Sequence, residues 1–321
     1  MTPTGVAGGV PPATRRTSLQ AMLEARSVAV VGASPRPGSF GERVLIELSR
    51  SPSRPDIHLV NPKYTEIAGR PCLRSLDAIA DPVDLVLMCV GDGALLDQME
   101  RAARREDRSA IIYGSAFAGG GASATAELRR AVAAVAAGAG MEVCGGGCMG
   151  FVNVAHGLRA IGYIEPYPLE PGSIALVTHS GSAFSALLRT DRGFRWSLAV
   201  SSGQELVTPA AAYLDYALGL EQTKVVALLL ETLRHTPRLR SALERAEQQN
   251  VPVVALTVGN SNAGRAMVAA HSGALAGDDA AWEALFEAHG VLRVGDLQEM
   301  TDTLELLAAD RRPRSPAGAG G

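Results

Sequence analysis

The sequence predicts an α/β fold made of two consecutive units, each built on a mostly parallel sheet. Three observations carry this expectation. Short uninterrupted apolar runs, such as Ser27-Val28-Ala29-Val30-Val31, alternate with longer stretches of mixed polarity, as strands covered on both faces by helices require. Most of these runs end in a turn of glycine, serine or threonine. Apolar residues make up 47% of the chain and aromatics only 4%, with 35 glycines, which suits tightly turned α/β layers better than a sandwich. A length of 321 residues corresponds to about two domains.

The first unit begins with the strand 27–31 and a glycine-rich turn, Gly32-Ala33-Ser34 to Gly38-Ser39-Phe40-Gly41. A helix is predicted over 42–49. Strands follow at 57–60, ending in Asn61-Pro62-Lys63-Tyr64, at 85–90, and at 110–113, ending in Gly114-Ser115. Helices are predicted at 95–104 and 127–137, and the unit closes near Cys144–Gly150. The second unit repeats the plan. A strand at 174–177 enters Thr178-His179-Ser180-Gly181-Ser182, which opens a helix to Arg189. Further strands are predicted at 198–200, 225–230 and 253–256, and helices at 209–217 and 237–248. The chain ends with a helix at 278–289, a strand at 291–294 and a helix at 296–308. Pro166, Pro168 and Pro171 mark the boundary near Glu165–Gly172. The domains expected are thus 18–165 and 166–310. The Thr/Pro/Gly/Ala-rich residues 1–17 read as a disordered lead and 311–321 as a disordered tail. The lead lacks the apolar core of a signal peptide.

Composition narrows the function classes. A net charge of −3 with interspersed signs gives no basic stripe for nucleic acid. No apolar stretch reaches the roughly 18–20 residues of a membrane span. Four cysteines include Cys144 and Cys148, but no second ligand pair follows them, so no metal site is expected. Reduced thiols fit a cytoplasmic protein.

Three places carry chemistry. The first turn can set backbone N–H groups and a helix N-terminus against phosphate. A dinucleotide site usually has an acid at the end of its second strand, for ribose hydroxyls. This chain has Lys63 there, and a cation prefers a ribose phosphate, as in NADP or coenzyme A. The second place is Ser180-Gly181-Ser182, a candidate anion cradle at a helix start. Glu231 lies at the end of the strand 225–230, where a carboxylate can fix the tautomer of an imidazole. The third is His271, in Ala269-Ala270-His271-Ser272-Gly273-Ala274. Every neighbour is small, so its ring is free to enter and leave a site. Imidazole can also carry a covalent intermediate.

These segments together resemble the NDP-forming acyl-CoA synthetases, the family that includes the succinyl-CoA synthetase α subunit. The resemblance runs from about Ala25 to Leu307 and rests on residues 27–34, 60–64, 82–85, 180–182 and 271–277. It implies an N-terminal Rossmann-like CoA-binding domain followed by flavodoxin-like, succinyl-CoA-synthetase-type ligase domains. It implies an acid–thiol ligase that works through a phosphohistidine. His271 would carry the phosphoryl group and Glu231 would orient it. Ser180, Gly181, Ser182, Ser272 and Gly273 would hold the phosphate. Gly32, Ser34, Lys63, Val90 and Ser115 would line the coenzyme A site. ATP and Mg²⁺ would bind an ATP-grasp module, expected on a separate β subunit in a hetero-oligomer. The substrate would be a small carboxylic acid, with acetate, succinate, a branched acid and an aryl acid all compatible, and the nucleotide ATP or GTP.

The sequence departs from the family in three places. Gly145-Gly146-Gly147 precedes Cys148 where Gly-Pro-Asn is common, Thr257 replaces a common lysine, and His179 replaces a common glutamine. The first two motivate an alternative reading, a CoA-binding regulatory or scaffold protein that has lost turnover. An NADP-linked oxidoreductase is a further alternative, though no catalytic pair for it is evident.

Overall fold

A computed structural model describes residues 16–258 and 279–309. The chain enters through a short helix, α1 (Ser18–Leu23), whose N-cap Thr17 forms a reciprocal capping box with Gln20. Arg16 forms an ion pair with Asp84 at 2.8 Å. Arg16 and Thr17 are therefore part of the fold, and the expected lead up to residue 17 is corrected at its last two positions. Residues 1–15 and 310–321 lie outside the described residues.

The first sheet has the order β3-β4-β2-β1-β5-β6-β7. Its strands are β1 (Ser27–Val31), β2 (Asp56–Val60), β3 (Glu66–Ile67), β4 (Arg70–Leu73), β5 (Leu85–Met88), β6 (Ser109–Ile112) and β7 (Glu142–Gly145). All pair in parallel except β3, which forms a small antiparallel ribbon with β4. Helices α2 (Phe40–Ser49), α3 (Asp92–Arg104) and α4 (Ala122–Ala139) connect and cover them. The second sheet has the order β14-β13-β12-β10-β11-β8-β9. Its parallel strands are β10 (Pro171–Thr178), β11 (Trp196–Ser201), β12 (Val225–Leu230), β13 (Val253–Thr257) and β14 (Leu292–Val294). Its helices are α5 (Gly181–Leu188), α6 (Ala210–Ala217), α7 (Thr236–Gln248), α8 (Asp279–Ala288) and α9 (Leu297–Ala308). The central strands of both sheets are fully buried, as their unbroken apolar runs require.

The two units join differently from the sequence-based expectation. Strands β8 (Gly150–Asn153) and β9 (Leu158–Ile161) precede the proline cluster, yet they form the antiparallel edge of the second sheet, through β8–β11 pairing. The chain thus crosses between sheets at Gly146–Met149 rather than near Glu165–Gly172. The apolar runs here are only a few residues long and broken by Asn153, His156 and Arg159, so their strand character was hidden. One continuous core cluster runs from Val44 and Leu48 of α2 to Phe151 and Leu158. The carboxylate of Glu47, on α2, has no solvent exposure. It accepts from Arg159 Nε at 2.9 Å and Nη2 at 2.5 Å, from Arg50 Nη1 at 2.8 Å, and from the Glu165 N–H at 3.0 Å. A buried carboxylate needs this many donors to offset its lost hydration.

Candidate functional site

In each sheet the strand order reverses around a central strand, and ligands of open α/β sheets bind at the carboxyl ends of strands at such points. In the first sheet the reversal lies between β1 and β5. The glycine turn after β1 opens there into a cavity of about 310 Å³. Gly32, Ser34 and Lys63 line it, with Arg36, Asn61 and Cys89. Gly32 adopts a φ of +87°, and a Cβ at this position would fall 2.8 Å from the Cys89 carbonyl carbon and closer still to its oxygen. Only glycine permits this approach of the two strand ends. Asn61 Nδ2 donates to the Ala33 carbonyl at 2.7 Å, and its Oδ1 accepts from the Lys63 N–H at 3.0 Å. One amide thus ties the end of β2 to the glycine turn and sets Lys63. Among the described residues neither Lys63 nor Arg36 has a carboxylate partner. Glu42, in the first turn of α2, is occupied by the Gly38 N–H at 2.6 Å. Two uncompensated cations beside a glycine turn fit a phosphorylated ligand.

Val90 stands next to this cavity, with Cγ1 3.3 Å from the position of a Gly32 Cβ. Ser115 does not line it. It lies instead against Gly147, near the side chain of Gln204. Arg129 holds this turn by donating to the Ser115 and Ala116 carbonyls at 3.1 and 3.3 Å. Burial, and next the nearby Arg234 charge, lower the Arg129 pKa from its usual value.

The carboxyl edges of the two sheets meet at the three-glycine run. The Gly145 N–H donates to the Ser202 carbonyl at 3.1 Å, and the Gly147 N–H to the Gly114 carbonyl at 2.6 Å. In return Gln204 and Leu206 donate to the Gly146 and Gly145 carbonyls, both at 2.9 Å. A Cβ on Gly203 would lie 3.0 Å from the Gly147 carbonyl oxygen, which shows how closely the two backbones pass. Gly145-Gly146-Gly147, a departure at the sequence level, is thus where the carboxyl edges of the two sheets touch.

In the second sheet the reversal lies at β10, where Thr178-His179-Ser180 leads into α5. Ser180 is the N-cap, with its hydroxyl accepting from the Ala183 N–H at 3.2 Å. That hydroxyl is committed to the helix, whereas Ser182 is exposed. Among the described residues the N–H groups of Gly181 and Ser182 have no partner. With the helix macrodipole they make an anion-attracting terminus. Glu231, at the end of β12, is buried, and its backbone N–H donates to His179 Nδ1 at 3.0 Å. His179 Nε2 lies 2.8 Å from Glu205 Oε1. A donor at Nδ1 leaves Nε2 to carry the ring proton, so Nε2–H donates to Glu205. Glu205 also accepts from the Ala210 N–H at 2.5 Å and sits at a left-handed φ of 51°.

The expected cation deficit at Thr257 looks different in three dimensions. Arg293, on the adjacent strand β14, donates to Thr257 Oγ1 at 2.9 Å and forms an ion pair with Asp279. Cys144 and Cys148 are buried thiols that donate to the Ser201 and Ile112 carbonyls. Burial pushes the Cys148 thiol well above its usual range. Among the described residues no three His, Cys, Asp or Glu side chains converge to hold a metal ion, and no helix is long and apolar enough to cross a membrane. His271, Ser272 and Gly273 lie outside the described residues.

Sequence reasoning missed Arg36, Asn61 and Glu205. Arg36 was legible as a cation within a phosphate-type turn. Nothing in the sequence links Glu205 to His179, because they stand 26 positions apart with a helix and a strand between them.

Comparison with known proteins places these features. Residues 26–154 match the CoA binding domain family, and residues 171–307 match the succinyl-CoA ligase like flavodoxin domain family. A trans-feruloyl-CoA synthase from an unidentified prokaryote is 29% identical over 292 residues, covering 89% of this chain and 41% of that protein. The ADP-forming acetate–CoA ligase I of Archaeoglobus fulgidus is 28% identical, over 92% of this chain and 42% of that protein. The α subunit of the ADP-forming acetate–CoA ligase I of Pyrococcus furiosus is 27% identical, over 91% and 63% respectively. The chain thus spans about two fifths of the first two relatives. A Korarchaeum cryptofilum dinucleotide-forming acetyl-coenzyme A synthetase, solved with phosphate and ADP, shares the fold with a TM-score of 0.84 at 23% identity, over 92% of this chain and 64% of that one.

Proposed function

Since the chain belongs to the family that joins a CoA binding domain to a succinyl-CoA ligase like flavodoxin domain, we propose that it is the acyl-transfer part of an NDP-forming acid–thiol ligase. The observation that carries this reading is the meeting of the two carboxyl edges at Gly145–Gly147 and Ser202–Leu206. It joins the edge of the sheet that carries the cation-lined cavity to the edge of the sheet that carries the anion-attracting helix start, and transfer between a phosphoryl carrier and a thiol needs both on one frame.

His271 carries the phosphoryl group on a ring nitrogen. A carboxylate oxygen of the acid attacks the phosphorus, the P–N bond breaks, and an acyl phosphate forms. The thiolate of coenzyme A then attacks the acyl carbon, the C–O bond to phosphate breaks, and thioester and inorganic phosphate leave. Glu231 orients the imidazole. The N–H groups of Gly181 and Ser182 stabilise the phosphate charge, joined by Ser180, Ser272 and Gly273. Lys63 and Arg36 hold phosphates of coenzyme A, and Gly32, Ser34 and Val90 shape its cavity. Ser115 stands at the junction, against Gly147. ATP and Mg²⁺ act on an ATP-grasp module, and the naming of the Pyrococcus relative as an α subunit supports a β partner for it.

The test runs the first step backwards and needs no nucleotide. The full chain is incubated with ³²P-labelled acetyl, propionyl and benzoyl phosphate. Acid-labile, base-stable label on the wild type, absent from His271→Ala, is expected. Equal labelling of His271→Ala, or none on the wild type with any donor, overturns the reading.

A further inference from the structure

The hydrogen bonds of His179 link the end of β12 to the loop that forms the second-sheet side of the junction, and the reaction proposed above gives its ring no chemical part. We propose that His179 is a positioning residue that couples the junction loop to Glu231. Its Nδ1 fixes the backbone N–H of Glu231, and its Nε2–H grips Glu205, in the loop that pairs with Gly145–Gly147. This proposal rests on the function proposed above only for what Glu231 does.

Three observations support it. The ring and its carboxylate partner are buried, with side-chain exposures of 4% and 3%, so the bond between them has little water to replace it. Glu205 holds a left-handed backbone conformation that a non-glycine residue adopts at a cost, which its two bonds offset. The backbone on either side of His179 is also pinned. The His179 N–H donates to the Leu229 carbonyl at 3.0 Å, and the Thr178 carbonyl accepts from the Ser202 N–H at 2.8 Å. His179 therefore sits where β10, β12 and the junction loop are tied together. A shift of the glycine run is transmitted through Glu205 to the residue that holds the end of β12.

A glutamine at this position carries the same complement, one oxygen that accepts and one N–H that donates. His179→Gln is therefore the conservative variant, and His179→Leu keeps the bulk but loses both bonds. His179→Asn keeps the amide on a shorter stem that cannot reach both partners, and it replaces the leucine variant if that one does not fold. Two readouts are taken on the full chain. One is amide hydrogen exchange of the peptide spanning 226–234. The other is the rate of ³²P transfer from acetyl phosphate, beside the CoA affinity measured by calorimetry.

With His179→Leu, exchange at Glu231 and the labelling rate are each expected to change on the order of tenfold or more, as when a buried donor loses its acceptor. CoA affinity stays at the wild-type value. His179→Gln recovers both readouts to within about threefold of wild type, through its matching donor and acceptor. A leucine variant with unchanged exchange overturns the coupling, and so does a glutamine variant as impaired as the leucine one. If wild type takes no label, the phosphohistidine reading fails, while exchange at Glu231 still decides the role of His179.

Discussion

Replacing Gly32 by alanine tests whether the close approach of β1 and β5 builds the coenzyme cavity. The new methyl would lie 2.8 Å from the Cys89 carbonyl carbon and 3.3 Å from Val90 Cγ1. The first neighbour is backbone, held by the Cys89 N–H bond to the Val31 carbonyl at 2.8 Å, so it cannot swing aside. Two costs add. An L-residue at a φ of +87° loses about 1–2 kcal/mol, and forcing atoms into filled space costs about 1–3 kcal/mol more. Gly38→Ala separates them, because Gly38 has a φ of +72° and nothing within 4 Å of its would-be Cβ. It carries only the backbone cost, about 1–2 kcal/mol. Chemical denaturation should therefore show Gly32→Ala destabilised by about 2–5 kcal/mol in total, more than Gly38→Ala. Calorimetry should show the Gly32 variant losing CoA affinity by about tenfold or more, since a ligand that uses turn N–H groups depends on their positions. Equal destabilisation of the two variants, with CoA binding intact in both, would refute the reasoning.

Three further outcomes are expected. Lys63→Ala should weaken binding of CoA but not of dephospho-CoA if the lysine meets the ribose phosphate, and titration of both ligands reads the difference. Glu47→Ala strands Arg159 without its buried partner and should cost about 3–5 kcal/mol in denaturant melts, whereas a loss below about 1 kcal/mol would place the pair among exposed bridges of little weight. The raised pKa of Cys148 predicts a pH effect on stability. The unfolded thiol ionises near its ordinary value of about 8.5 while the folded one stays protonated. Stability is thus fully present below that pH and falls as pH rises above it. Denaturation of Cys148→Ser against wild type from neutral to alkaline pH should show the difference in slope, and parallel curves would contradict it.

Much of the fold was legible because buried parallel strands are written as unbroken apolar runs. Val225–Leu230 has the predicted bounds, and Ser27–Val31 does too. The strand 150–153 was not legible, because a four-residue antiparallel strand containing Asn153 has no such run. Asn153 is buried there by bonding to the Leu23 carbonyl and Tyr216, partners far away in sequence. Within the candidate site, Gly32, Ser34 and Lys63 were readable as a group because a single strand–turn–helix grammar places them. Ser115 was grouped with them, yet it stands at the junction, since the turn after β6 is carried away from β1 by the width of β5. His179 read only as an odd residue before Ser-Gly. Its meaning lies in Glu205, and a pairing made by tertiary structure leaves no local pattern.

The crossing of the chain at Gly146–Met149 limits how such proteins can be recombined. An exchange of amino-terminal halves between relatives at the proline cluster would carry β8 and β9 away from the sheet they complete. An exchange at the glycine run would keep that sheet whole but leave Glu47 facing a foreign Arg159 position. Modular shuffling of this architecture therefore has no neutral seam, and a viable chimera must inherit α2 and β9 from the same parent.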